Sequence, residues 1–138
     1  MATASGITIN QWNSVVINSN GSTIKIYING VEAGSGTYSG NLNWTGNQLQ
    51  IGRNINGNAY TSGYLSEFYF VDGQALEPTV FGSLFDSKWG PDTSTAVKAA
   101  ITAAGGFGAN GFFLPFNPAA AGVNNAQNVV TTGDAPVI

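Results

Sequence analysis

Residues 12–33 read WNSVVINSNGSTIKIYINGVEA, and this stretch decides the fold class. Between positions 23 and 28, isoleucine alternates with Thr, Lys and Tyr, which is the two-residue period of a half-buried strand. The Asn-Gly steps at 20–21 and 29–30 provide residues that tolerate the positive φ of tight hairpin turns. The stretch therefore predicts consecutive antiparallel strands.

The same pattern continues along the chain. The segment QLQIGR and the apolar run within residues 65–71 predict two further strands, and two more Asn-Gly steps follow the first pair. Leu65 and Phe68 cannot share one face of a regular strand, so a β-bulge is expected near Ser66 or Glu67. The predicted fold is mostly β, and its core is predicted to contain Ile24, Ile26, Ile28, Leu49, Ile51, Leu65, Phe68 and Phe70.

One segment changes period. Residues 93–104 place apolar side chains at the spacing of a helix, with Asp92 or Ser94 as the expected N-cap and Gly105 as the expected end. A short helical turn is expected after Glu77-Pro78. The apolar segment GFFLPF predicts a last strand, which Pro115 restricts to a sheet edge or a strand end.

Composition excludes several classes of function. The charged fraction is 8% and there are only four Lys and Arg residues, which argues against a nucleic-acid partner. No apolar run approaches the roughly 20 residues of a membrane span, and the N-terminal residues lack a secretion signal, so we expect a soluble protein with no membrane partner. The chain has neither Cys nor His, so no thiolate or imidazole ligand is available and no cofactor is predicted.

The acidic residues do not predict an active site. Hydrolysis of a glycosidic bond uses two carboxyl groups about 5 to 10 Å apart, and the seven in this chain form no alternating cluster on one strand. Glu67 and Asp72 are the nearest candidates, and we interpret them as a bulge residue and a turn residue. Asp72 could also join backbone carbonyls in a Ca²⁺ site, an alternative that we do not favour. The protein is predicted not to be an enzyme.

Aromatic residues in polar loops are the candidate ligand contacts. Trp44, Tyr38 and Tyr60 lie in segments rich in Gly, Asn and Ser, where rings could stack on a sugar while amides form hydrogen bonds. The alternative is that these rings cover the margin of the core.

The segments WNSVVINSNGSTIKIYINGVEAGSG, LQIGR and GYLSEFYFVDGQALEP, in that order, resemble the laminin-G-like, concanavalin-A-like jelly-roll family. The resemblance implies an antiparallel jelly-roll β-sandwich. The later segments FVDGQALEPTVFG and GANGFFLPF are similar to a variant of this jelly roll in tailed-phage virion proteins. Members of the family have more strands before the Trp that corresponds to Trp12, so the resemblance implies a sandwich that a partner chain could complete.

The resemblance also suggests the function. We expect one domain over residues 1–116 and an extended C-terminal arm over 117–138. The favoured function is a virion structural protein, either a capsid decoration protein or a head or tail fibre component, with other virion proteins as partners and a homo-oligomeric state. The alternatives are a lectin-like module for host-surface glycans and, third, a hydrolase.

The arm carries the predicted assembly contacts. Its sequence has no period and no pattern that would hold it on its own domain, yet it contains apolar residues that would be unfavourable in water. We therefore expect it to reach a partner, completing the sandwich there by strand addition. The candidate contact residues are Val123, Val129, Val130, Val137 and Ile138.

Overall fold

The computed structural model describes residues 6–39, 49–52, 60–116, 129–130 and 136–137. Within these residues the protein is mostly β, with antiparallel sheets and one short α-helix, as the sequence predicts and as a concanavalin A-like β-sandwich requires. The elements in chain order are β1 (Val15–Ser19), β2 (Thr23–Ile28), β3 (Val31–Thr37), β4 (Phe68–Phe70), a 3-10 turn (Pro78–Val80), β5 (Gly82–Phe85), β6 (Lys88–Pro91), α1 (Ser94–Ala103), β7 (Phe112–Leu114), β8 (Val129–Val130) and β9 (Pro136–Val137).

The first three strands form the predicted antiparallel sheet in the order β1-β2-β3. Gly21 has a φ of 93°, and Asn29 and Gly30 have φ values of 51° and 79°, so both Asn-Gly steps lie in the hairpin turns that connect the strands. The pairing of β2 with β3 shifts register between Ile26 and Tyr27, whereas β1 and β2 pair without a shift.

A second, two-stranded sheet pairs β4 with β7 and is filled with aromatic rings. The rings of Tyr69 and Phe113 stack with centroids 4.6 Å apart on one face. On the other face, the ring centroid of Phe112 lies 5.9 Å from that of Phe68 and 5.4 Å from that of Phe70. The strand expected in GFFLPF is thus confirmed and pairs with β4, but it is not the last one, because β8 and β9 follow it.

The helix α1 forms within the predicted segment 93–104, but its N-cap residue is not the one that the sequence predicts. The N-cap is Thr93, whose Oγ1 accepts a hydrogen bond from the backbone N–H of Ala96 at 3.3 Å, so the expectation of Asp92 or Ser94 was wrong. The carboxylate of Asp92 instead accepts a hydrogen bond from the hydroxyl of Ser83 at 2.8 Å. Val97 and Ile101, one turn apart, are buried, as the apolar spacing predicts.

The hairpin of β5 and β6 was not predicted. Its two turn residues, Asp86 and Ser87, both have left-handed φ values, 46° and 62°. A two-residue turn of this kind usually contains Asn or Gly, and neither residue is present to signal it. On β6, the ring of Trp89 packs against Gly30 and Gly82 and so joins this hairpin to the first sheet.

The predicted core is only partly correct. Among the residues that the structure describes, the buried hydrophobic side chains of the core are Tyr27, Ile28, Val97, Ile101 and Phe113. Of the eight residues predicted, Ile28 is buried and Leu49 and Leu65 are exposed by 40% and 48%, so those two assignments were wrong. The other five are half-buried, namely Ile24, Ile26, Ile51, Phe68 and Phe70.

Backbone geometry and packing explain these corrections. Glu67, just before β4, has a φ of 54°, so the backbone is irregular where a bulge was expected, and Leu65 lies before the strand begins. The first sheet is covered on the face that the alternation of β2 predicts to be exposed. There, Asn18 donates a hydrogen bond to the carbonyl of Leu76 at 3.2 Å, and the Tyr27 hydroxyl donates to Glu77 at 3.0 Å.

The backbone of β8 and β9 forms a small antiparallel pair within residues 117–138, with Val129 opposite Val137 and Val130 opposite Pro136.

Candidate functional site

The largest apolar surface of the first sheet is the face opposite Tyr27. By strand alternation and register it carries Ile28, which is buried, and also Val15, Ile17, Ile24, Ile26 and Val31, which we call the open face. The side chains of Val15, Ile17 and Val31 are exposed by 49%, 66% and 69%. These side chains form an exposed aliphatic patch on the sheet, and patches of this kind occur at interaction surfaces.

Charge is confined to the other face of this sheet. Lys25 and Glu32 form a salt bridge of 3.1 Å there, and the hydrogen bond and charge of Glu32 raise the pKa of Lys25. No residue of the open face is charged. At one end of this face the hydroxyls of Ser19 and Tyr38 form a hydrogen bond of 2.6 Å. The open face is therefore suited to contact a similarly apolar surface.

Two of the three candidate sugar-stacking aromatics, Tyr38 and Tyr60, lie among the described residues. Tyr38 is half-buried and its hydroxyl is engaged by Ser19. Tyr60 is exposed by 71%, and the neighbouring Tyr64, which the sequence analysis did not single out, by 89%. Trp44 lies outside the described residues. Tyr60 and Tyr64, four residues apart, thus both expose most of their side-chain surface.

Asp72 links two distant parts of the chain. One of its carboxylate oxygens accepts hydrogen bonds from the backbone and side-chain nitrogens of Asn110, at 3.3 and 2.8 Å. Its backbone N–H donates to the carbonyl of Phe107 at 2.8 Å. The side chain of Gln74 reaches the carbonyl of Gly106. We call this set of hydrogen bonds the Asp72 clamp; it fixes the turn after β4 to the loop before β7.

In the part of the chain that the structure describes, no group of three or more His, Cys, Asp or Glu residues could hold a metal ion. Asp72 itself is engaged in the clamp, which gives the acidic turn a structural role that needs no ion.

Other carboxylates also contact their own chain. Glu67 accepts a hydrogen bond from the Tyr69 hydroxyl at 3.1 Å, and burial, followed by the charge of Glu67, raises the pKa of Tyr69. Glu77 contacts Tyr27 as described above. Glu67 and Asp72 lie on opposite sides of β4 along the chain and have different partners, so each is explained by local structure.

The candidate assembly residues are only partly described. The backbones of Val129, Val130 and Val137 lie in β8 and β9. Val123 and Ile138 lie outside the described residues.

Among the described residues no helix has the length and apolar character needed to cross a bilayer.

The sequence signal of the open face is the alternation of Val15 and Ile17 on β1, which matches that of the isoleucines on β2. The register places these residues side by side. Because apolar alternation is the same in a buried face and in an uncovered one, the pattern does not distinguish the open face from a core.

Comparison with known proteins yields one match. Residues 1–80, more than half of the 138-residue chain, match the family described as the concanavalin A-like lectin/glucanases superfamily, Laminin_G_3. No curated protein and no solved structure matches the chain. The matched residues include the three-stranded sheet and β4, which carry the segments that resemble this family. The chain belongs to the concanavalin A-like lectin/glucanases superfamily.

Proposed function

We propose that this protein is a structural component of a phage virion, either a capsid decoration protein or a head or tail fibre component, that acts through contacts with other virion proteins. The observation that carries the proposal is the open face. Its exposed, uncharged aliphatic side chains favour burial against another protein, because each buried side chain of this size contributes roughly 1.5 to 3 kcal/mol.

A second observation supports the phage assignment in particular. The two segments that resemble tailed-phage virion proteins, residues 70–82 and 108–116, are far apart in sequence. They meet in the fold through the pairing of β4 with β7 and through the Asp72 clamp. The resemblance therefore involves residues that form one structural unit, which is more specific than two independent short matches.

The direct test is the presence of the protein in particles. Virions from the host that produces this chain would be purified through two successive density gradients, and the protein would be quantified by mass spectrometry against the major capsid protein. We expect a constant copy number per particle in both gradients. Recovery of the protein only in the soluble lysate, with none in the particle band, would overturn the proposal.

Binding of a host-surface glycan is the second candidate, and the exposed rings of Tyr60 and Tyr64 favour it. Aromatic rings in wet loops can stack on the apolar face of a sugar. A glycan array probed with the wild type and with Trp44→Ala, Tyr60→Ala and Tyr64→Ala variants tests this function. Binding that at least one of these changes reduces by about tenfold, equivalent to about 1.4 kcal/mol, would support it. An array without any binding would exclude this function for the glycans displayed.

A further inference from the structure

Strand β1 forms a free edge of the first sheet among the described residues. Asn29 donates its backbone N–H to the carbonyl of Ser14 at 2.9 Å, and Asn20 donates to the carbonyl of Thr23 at 3.2 Å. Because antiparallel strands alternate the direction of their backbone groups, the even-numbered residues of β1 bond to β2. The N–H and C=O groups of Val15, Ile17 and Ser19 therefore point away from the sheet.

The two edges of this sheet differ in their protection against pairing. On β3, the charged Glu32 and the shift in register at Ile26 and Tyr27 disfavour the addition of another strand. The sequence of β1, VVINS, contains no charge, no proline and no glycine, and its pairing is regular. Native proteins usually protect an edge of this kind, so its exposure indicates that a strand pairs there.

The residues with outward-pointing backbone groups also contribute to the open face. Val15 and Ile17 are the exposed aliphatic residues of β1, and Ser19 follows them on the same face. A strand added to this edge would satisfy the free backbone groups and extend the apolar face at the same time. Ile17, the middle residue of β1, has both outward-pointing backbone groups and an exposed side chain on the open face.

The size and symmetry of this surface favour a second copy of the same chain. Five residues on three strands cover about 14 by 17 Å, or roughly 240 Å², which is too small to hold two copies by stacking face to face. Side-by-side pairing of β1 with β1 instead supplies about six backbone hydrogen bonds and doubles the continuous apolar face. Because β1 is uncharged, the pairing brings no like charges together.

We propose that β1 is the seam of a symmetric homodimer, in which two copies pair their β1 strands antiparallel about Ile17 and join their sheets into one. In this register Ile17 lies opposite Ile17 of the partner subunit, and Val15 lies opposite Ser19 of the partner subunit. The area is small for a protein interface, so the association depends on concentration. The inference goes beyond the proposed function, because the seam would form whether or not the protein belongs to a virion.

The first test removes the backbone N–H of residue 17, which points away from the sheet at the centre of the proposed seam. Sedimentation velocity of the full chain is expected to show a monomer–dimer equilibrium, and Ile17→Pro is expected to weaken it at least tenfold. The matched control is Ser35→Pro, since Ser35 is outward-pointing on β3 by the same alternation, given the hydrogen bond from the N–H of Tyr38 to the carbonyl of Ser22. Circular dichroism checks that both variants fold. An Ile17→Pro variant that dimerises as tightly as the wild type would overturn the seam.

A charge exchange tests the register and does not depend on tolerance of proline. Ile17→Lys and Ile17→Glu each place like charges opposite one another, so each variant alone is expected to be monomeric. An equimolar mixture places Lys opposite Glu and is expected to form heterodimers. If the wild type is monomeric at every concentration, or if the mixture stays monomeric, the proposal is wrong. A monomer that is nevertheless present in virions would overturn the seam alone, and a dimer absent from virions would overturn the proposed function alone.

Discussion

At the scale of single residues, the fold depends on close contacts between backbone and side chains. Gly30 lies in the turn between β2 and β3, with a φ of 79°, and the ring of Trp89 packs where its side chain would be. The absence of a side chain at this position thus allows the β5–β6 hairpin to pack on the first sheet. The sequence predicts the turn glycine, but it does not show that a tryptophan distant in the chain occupies the space beside it.

Replacing Gly30 tests this contact. Gly30→Ala is expected to lower the free energy of unfolding by about 2 to 4 kcal/mol, because it combines left-handed strain of about 1 kcal/mol with overpacking against Trp89. Urea denaturation gives the measurement. Gly21→Ala is the matched control, since Gly21 also has a positive φ, 93°, but no atom lies within 4 Å of the added carbon. Equal losses in the two variants would show that the contact with Trp89 is unimportant.

At the scale of elements, the sequence predicts the first three strands, β4, β7 and the helix. It misses the β5–β6 hairpin, and residues 49–52 of the predicted strand QLQIGR form no strand. Contacts between elements are predicted poorly. The alternation of residues 23–28 and the helical spacing of 93–104 are local signals, and both elements form where predicted. Which face of β2 is covered depends on the segment at Leu76 and Glu77, more than 45 residues away, and no local pattern contains that information. The same limit explains why Asn18, polar and buried, was missed.

The candidate sites show the same difference between local features, which the sequence predicts, and contacts between elements, which it does not. The polar surroundings of Tyr60 predict that its side chain is accessible, and it is exposed by 71%; its contact with a sugar stays a prediction. The open face was missed because apolar alternation looks the same in a buried strand and in an uncovered one. Only the register of β1 against β2 brings Val15 and Ile17 beside the isoleucines of β2.

The Asp72 clamp leads to a prediction at this scale. Asp72→Ala and Asn110→Ala are each expected to cost about 1 kcal/mol of unfolding free energy, because both remove the hydrogen bond between the side chains of Asn110 and Asp72. Asp72→Ala also removes the longer bond from the backbone N–H of Asn110, which contributes less. The double variant should therefore cost little more than either single change. Combining Asp72→Ala with Ser83→Ala, which breaks a different hydrogen bond, is the control and should be additive. Full additivity for Asp72 and Asn110 would contradict the clamp.

At the scale of the whole molecule, the covered face of the first sheet and its open face have different roles. The covered face, with Tyr27 and Asn18, is fixed to the segment before the 3-10 turn and carries the salt bridge between Lys25 and Glu32. The open face is uncharged and exposed, and the free edge of β1 borders it. The central claim is that this face forms part of the surface by which the protein binds its partners in the particle.

The measurement that tests this claim most directly is the binding of variants to particles that lack the protein. Such particles would be mixed with the wild type, with Ile17→Lys, and with Leu84→Lys, a matched change at an equally exposed aliphatic residue, 68% exposed, on the β5–β6 hairpin. We expect the wild type and Leu84→Lys to saturate the particles alike. We expect Ile17→Lys to bind at least tenfold more weakly, because an unpaired charge would be buried at the contact. Binding of Ile17→Lys with the affinity and copy number of the wild type would contradict the account.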